Sequence, residues 1–279
     1  MDADHFAVAD DEHNTLRIYR RGTPSPVDSL VLDAFLGTER ESDLEGAATI
    51  GNVTYWIASN GSDKTGKRRV ERHRLFATEI LPGMPPVLRP FGKDYRNLID
   101  DLTKAPTLQS YRIDAAARLA PDAPGGLNIE GLAATAEGHL LVGFRNPVPG
   151  GKALLVPIEN PGELLRGKSA KIGNPVELTL DGRGIRSIDW VGLYYLIVAG
   201  APSDRDSFAL YRWSGKSDHV PAQIAVNFQS LRPEALSVIP GTRRVQILSD
   251  DGTIDVGGVP CKKLQQAKRS FRSLTIELE

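Results

Sequence analysis

Apolar residues along this chain fall into short runs bounded by glycine, proline and acidic turns, a pattern that predicts antiparallel strands. The runs recur as a unit: a short motif around one charged residue, then a strand that closes in small or polar residues. The unit reads Asp43-Leu44-Glu45-Gly46-Ala47 followed by Val53 to Asn60, and again Asn128-Ile129-Glu130-Gly131-Leu132 followed by His139 to Asn146. It returns as Gly184-Ile185-Arg186-Ser187-Ile188 with Leu193 to Gly200, and as Pro233-Glu234-Ala235-Leu236-Ser237 with Arg243 to Asp250. From Glu45, Glu130, Arg186 and Glu234 to those strand ends the distances are 15, 16, 14 and 16 residues. A fifth, incomplete copy opens the chain at Phe6 to Asp11, without its motif. Four of these strands are followed by a third, at Leu16 to Tyr19, His73 to Phe76, Ala153 to Val156 and Ala209 to Trp213.

Repeated small antiparallel sheets predict an all-β fold, a single β-propeller over residues 1–279. Successive strand ends at Asp11, Asn60, Asn146, Gly200 and Asp250 are 49, 86, 54 and 50 residues apart. Three regular spacings and one long one predict five blades plus an insertion, with six blades as the alternative. The N-terminal blade is short of one strand, so a strand from near the C-terminus is expected to pair with Phe6 to Asp10 and close the ring.

The long spacing places a helical insertion at 91–126, between the second and third detectable blades. Tyr95, Leu98, Ile99 and Leu102 recur at helical spacing, with Asp94 as the expected cap. Ile113 to Leu119 reads as a second short helix, and Pro121, Pro124, Gly125 and Gly126 return the chain to the sheet. The insertion packs on the outer face of a blade or lies over one mouth of the central channel.

Composition narrows the class. The 279 residues are 41% hydrophobic and 25% charged, enough to bury a core. Thirty-four Lys and Arg against 35 Asp and Glu leave a net charge of −1, which gives no support to nucleic-acid binding. No apolar run approaches the roughly 20 residues of a membrane helix. The first residues, Met1-Asp2-Ala3-Asp4-His5, are neither basic nor apolar, and Cys261 is the single cysteine. Together these predict a cytoplasmic protein without disulfides.

Gly126-Leu127-Asn128-Ile129-Glu130-Gly131-Leu132-Ala133 resembles a motif of a bacterial family catalogued as a domain of unknown function. The likeness extends to Gly143-Phe144-Arg145-Asn146-Pro147, Gly184-Ile185-Arg186, Leu210-Tyr211-Arg212-Trp213 and the opening Ala9-Asp10-Asp11-Glu12. More remotely, the chain is similar to esterase-like phytase propellers, which share an Asn-x-Glu-Gly motif. The resemblance implies a propeller and supplies no activity.

The first strand of a propeller blade lines the channel, so equivalent positions would gather Glu45, Glu130, Glu234 and Arg186 in one ring. Asn60, Arg145, Asn146 and Asp250 end the strands beside it. Clustered carboxylates repel, so the ring is expected to hold a proton, an ion pair or a cation. With Asp250 as a fourth oxygen donor, Glu45, Glu130 and Glu234 would suit Ca²⁺ or Mg²⁺. The competing reading makes each glutamate a fixture of the inner-strand turn. Recurrence in every blade favours that reading, and the change of sign at Arg186 favours a ligand role.

Sharper motifs fail. Gly61 to Arg68 has the spacing of a phosphate-binding loop, but Arg68 stands where Ser or Thr is required and a strand-like run follows. Lys67, Arg68, Arg69, Arg72 and Arg74 are expected to form a solvated hairpin. No Gly-x-Ser-x-Gly elbow occurs, the five histidines show no zinc spacing, and Asp250 to Asp255 reads as a tight Asp-Gly turn. Three functions remain open. The first is a binding module whose Glu/Arg-lined channel takes a cation or small polar ligand. The second is a protein–protein scaffold. The third is a metal-dependent esterase, lactonase or phosphoesterase, with Glu130 as base and Arg186 or Arg145 stabilising charge.

Overall fold

Alternating side chains and frequent turns resolve, in the computed structural model, into five antiparallel blade sheets and one two-stranded hairpin; residues 1–10, 12–203 and 207–278 are described. Blade 1 consists of β1 (His5–Asp10), β2 (His13–Arg20) and β3 (Pro26–Val31), and the short helix α1 (Asp33–Leu36) leads out of it. Blade 2 is β4 (Leu44–Ile50), β5 (Val53–Ala58), β6 (Leu75–Leu81) and β7 (Val87–Tyr95). After it come the helices α2 (Leu98–Lys104) and α3 (Ile113–Ala116), joined by a 3-10 turn. Blade 3 is β8 (Asn128–Ala134), β9 (Leu140–Asn146), β10 (Ala153–Ile158), then α4 (Pro161–Leu164) and β11 (Val176–Leu178). Blade 4 is β12 (Gly184–Trp190), β13 (Tyr195–Gly200), β14 (Ala209–Trp213) and β15 (Ala222–Ile224). Blade 5 starts with β16 (Pro233–Val238) and β17 (Arg244–Ser249); a small hairpin, β18 (Asp255–Val256) with β19 (Val259–Pro260), precedes its last strand, β20 (Ser273–Glu277).

The fold is therefore a five-bladed propeller, with the count settled by sheet pairing. Blades 1 and 5 have three strands each and the other three have four. The inner strands β4, β8, β12 and β16 run side by side around the axis. Apolar side chains on alternate strand positions fill the seams between blades. Leu16, Ile18, Trp56 and Phe76 pack blade 1 on blade 2, and Ile57, Leu75, Val142 and Phe144 pack blade 2 on blade 3. Ile185, Ile188 and Trp213 seal blades 3 and 4, and Leu196, Leu236 and Ile247 seal blades 4 and 5.

The last seam corrects the expected closure. β20 pairs with β17 inside blade 5, and β1 pairs with β2. Blades 5 and 1 meet instead through side chains: Arg21 Nε donates to Gln246 Oε1 at 3.1 Å, Tyr19 and Phe271 pack edge to face, and Lys262 pairs with Glu12 at 3.1 Å. Asp11, read from sequence as a strand end, lies outside the described residues.

In the helical segment Leu98, Ile99 and Leu102 are buried with Leu108 and Ile113 in the blade 2–blade 3 core. Phe91 to Tyr95 still belongs to β7, opposite Ala77 and Leu75. Asp94 does not cap α2. It is held between Arg96 at 2.7 Å and Arg74 at 3.5 Å. The docking contact is Asp101, whose carboxylate accepts from the Tyr95 hydroxyl and from the Ala170 amide of blade 3.

Candidate functional site

Four charged residues occupy one structural position. In β4 the pairing with β5 skips from Leu44 to Gly46, leaving Glu45 as the extra residue of a β-bulge. The pairing skips Glu130 in β8, Arg186 in β12 and Glu234 in β16 in the same way. A bulge frees one side chain from the ladder and re-aims it. Because each bulge lies at the start of an inner strand, all four side chains are delivered to the same end of the ring.

There they meet. One carboxylate oxygen from each of Glu45, Glu130 and Glu234 lies within 4.8 Å of the other two. Arg186 donates from Nη2 to Glu234 Oε1, and its Nε stands 3.6 Å from Glu130 Oε2. From the end of β9, Arg145 Nη1 donates to Glu130 Oε1 at 2.9 Å, while its other nitrogens hold the carbonyls of Ala201 and Ser203. Asn128 Nδ2 also donates to Glu130 Oε1, at 2.9 Å. Among the described residues, three carboxylates thus face two guanidiniums.

Electrostatics follows from that imbalance. Burial pushes the Glu234 carboxyl up to about 8; Arg186 and Arg145 oppose the shift, and the carboxylates of Glu130 and Asp250 reinforce it. Burial pulls the Arg186 guanidinium down, but Glu130, Glu234 and Glu45 outweigh it and hold the group above its ordinary value. Glu130 is 2% exposed, and its Oε2 accepts no hydrogen bond among the described residues. The amide oxygens of Asn60 and Asn128 are likewise buried without donors. At the same place Arg186 Nε is a buried donor without a hydrogen bond among the described residues, 3.6 Å from Glu130 Oε2.

A second pair of charges backs the cluster. Asp43, two residues before Glu45, holds a left-handed backbone (φ 58°), and so does Asn60 (φ 54°) at the end of the neighbouring strand. Strained residues of this kind concentrate where tertiary contacts over-determine the chain. Asp43 accepts from the Ser59 hydroxyl and pairs with Arg72 Nη1 at 3.1 Å; Arg72 Nη2 reaches Glu41 at 2.5 Å. Burial raises the Asp43 carboxyl above its ordinary value, although Arg72 and Ser59 pull it back.

Residues 91–247 match the family model described as Protein of unknown function (DUF3616). The chain belongs to that family. No curated protein matches its sequence. Among solved structures, this DUF3616 chain is similar to a protein of unknown function from Bacteroides caccae, at 10% identity and a TM-score of 0.40 over 97% of this chain and 72% of the other. It is also similar to the Cps50 (Swd1) β-propeller domain of Myceliophteria thermophila, at 11% identity and a TM-score of 0.39 over 88% of this chain and 90% of that one. For apo AztD from Citrobacter koseri the figures are 13% identity and 0.32, over 98% and 62%.

Of the residues selected from the DUF3616 sequence, Glu45, Glu130, Arg145, Arg186 and Glu234 come together. Asp250 lies outside the carboxylate group; it is exposed, and its Oδ1 accepts the Gly252 amide at 2.8 Å in the expected turn. Asn146 donates to the carbonyls of Pro121 and Ala123, tying down the end of the helical segment. Asn60 donates to Ala58 O. The solvated hairpin needs correction: Lys67 and Arg68 are exposed, but Arg72 is partly buried against Asp43 and Arg74 is 3% exposed beside Asp94. Sequence reading passed over Asp43, Arg72 and Asn128. The signal for two of them was present, because Asp43-x-Glu45 and Asn128-x-Glu130 put each polar residue two positions before a bulge.

Proposed function

We propose that this protein is a binding module whose central channel takes up a hard cation, with Glu45, Glu130 and Glu234 as ligands. The supporting observation is the approach of three carboxylate oxygens from three separate blades to within 4.8 Å. Oxygens on one hard cation lie at most about 5.2 Å apart, and an all-oxygen donor set of this kind suits Ca²⁺ or Mg²⁺. The donorless oxygens of Glu130, Asn60 and Asn128 support the same reading, since buried acceptors without protons are offset by a cation. Arg145 and Arg186 then orient the carboxylates, and a bound cation would present positive charge to a polar ligand bearing an anionic group. Cation chemistry of this kind would polarise such a group.

The test is the thermal midpoint of the metal-free chain with Ca²⁺, Mg²⁺, Mn²⁺ and Zn²⁺ against a chelated control. Ca²⁺ at a hundredfold excess over Kd should stabilise by about 2.7 kcal/mol. Glu130→Gln, which keeps shape and loses charge, should abolish the shift. An unchanged midpoint with every ion overturns the reading, and the glutamates are then fixtures of the bulges.

A further inference from the structure

The second strands of blades 2 to 5 have partners on both sides: β5 lies between β4 and β6, β9 between β8 and β10, β13 between β12 and β14, and β17 between β16 and β20. β1 pairs with β2 alone, although Phe6 to Asp10 matches a second strand in sequence, and it lies against β4 as second strands lie against the next inner strand. Among the described residues no strand therefore fills the inner position of blade 1, between β16 and β4. The walls of that position are open. β8, with an inner strand on each side, is buried from Asn128 to Ala133, whereas β4 buries only Leu44 and Ala48, and β16 only Pro233 and Leu236. Two residues after their bulges, Leu132, Ile188 and Leu236 pack in the seam with the preceding blade, at 2, 2 and 7% exposure. The same position in β4 is Ala47, and it is exposed. An unpaired strand edge beside an exposed apolar residue is a template for strand addition.

We propose that this open position takes an extended segment of a partner protein, in which an apolar residue, a Lys or Arg and two further apolar residues are consecutive. The resident strands set the pattern. Ile129-Glu130-Gly131-Leu132 and Ile185-Arg186-Ser187-Ile188 each read apolar, charged, small, apolar. The charged residue of the incoming strand is basic, because three carboxylates already face two guanidiniums at that end of the ring among the described residues. The residue after it is glycine in β4 and β8, where it faces the next blade: a Cβ on Gly46 would stand 3.1 Å from Leu132 Cβ, and one on Gly131 3.2 Å from Ile188 Cγ2. In the open position that residue faces Ala47, which leaves room for a larger side chain. The proposal does not depend on a cation in the channel, because its contacts are the β1 edge and Ala47.

The probe is a fluorescein-labelled peptide copying residues 182–191 with Ser187→Leu, titrated into the full chain in the presence of a chelator. Saturable one-to-one binding is expected, with slowed hydrogen exchange in residues 6–10. A peptide that also carries Arg186→Glu should bind about tenfold more weakly. The protein variant Ala47→Leu restores the bulk found in the other blades, so it should lose about tenfold for the Ser187→Leu peptide and keep its affinity for the unaltered one. Melting curves check that the variant folds, and Ala47→Met replaces it should it fail. Absence of binding, or binding without protection of residues 6–10, overturns the proposal. Equal affinity of wild type and Ala47→Leu for the Ser187→Leu peptide overturns the site. Equal affinity for the arginine and glutamate peptides overturns the choice of a basic segment. Protection of residues 6–10 that rises with protein concentration in the absence of peptide makes a second copy the occupant and overturns the choice of a partner protein.

Discussion

Arg186 and Glu234 occupy the same bulge in neighbouring blades, one a guanidinium and the other a carboxylate, and they bond directly across the blade seam. A repeated backbone device has been given opposite charges at adjacent places. The pair is held by more than this contact, since Ser187 Oγ accepts from the Leu236 amide and Asp189 Oδ2 from the Val238 amide along the same two strands. Side chains of β12 thus supply the hydrogen bonds that join the inner strands of blades 4 and 5.

Arg186→Met should cost roughly 3 kcal/mol in urea unfolding, because it strips a cation from buried Glu130 and from Glu234. The double variant Arg186→Met with Glu234→Gln should recover part of that loss. Equal stability of the single and double variants would show that the carboxylates are not coupled through Arg186.

Glu234 gives the pH dependence. Its carboxyl, 4.5 in the unfolded chain, is raised to about 8 by burial in the fold. The folded state therefore keeps a proton that the unfolded chain has released, and the contribution is complete below 4.5 and lost as pH rises through about 8. Thermal midpoints of the metal-free protein should fall across that window. In Glu234→Gln the slope should flatten.

Gly184 lets blades 3 and 4 approach: a Cβ there would stand 1.9 Å from the Arg145 carbonyl oxygen. Gly184→Ala should destabilise by about 3 kcal/mol, the upper part of the overpacking range. Gly162→Ala, where the nearest atom is the Tyr55 hydroxyl at 3.9 Å, should stay within about 0.5 kcal/mol. Chemical denaturation of the two variants side by side decides the point.

Asp101 fastens the helical segment to the sheets. Asp101→Ala leaves the Ala170 amide without its acceptor and should cost roughly 1–3 kcal/mol. Hydrogen exchange should rise first in residues 98–116. Protection there equal to wild type would mean that Leu98, Leu102 and Ile113 hold the helices without the polar contact.

The blade count and the bulge residues were legible because both are local. Strand alternation has a period of two, a blade has a period near fifty residues, and a bulged inner strand repeats its own short motif. The helical stripe Leu98, Ile99 and Leu102 was legible for the same reason, as a single amphipathic turn. Partners were not. Nothing in the hairpin sequence separates exposed Arg68 from Arg72, because Asp43 lies 29 residues away on another strand. Asp250 read as a ligand because it ends its strand as Asn60 and Asn146 end theirs; its Oδ1 accepts the Gly252 amide, and it lies outside the group that the other three carboxylates form.

By itself the sequence determined the repeat, the all-β class and the identity of the four residues freed from their ladders. Only the tertiary structure decided that blades 5 and 1 join by side chains, that Arg145 reaches Glu130 across the bulge, and that Phe208 lies over Arg186. The physical reason is range. Backbone pairing and side-chain alternation are set within a few neighbours, whereas burial, ion pairing and the field at Glu234 depend on which blades the ring brings together.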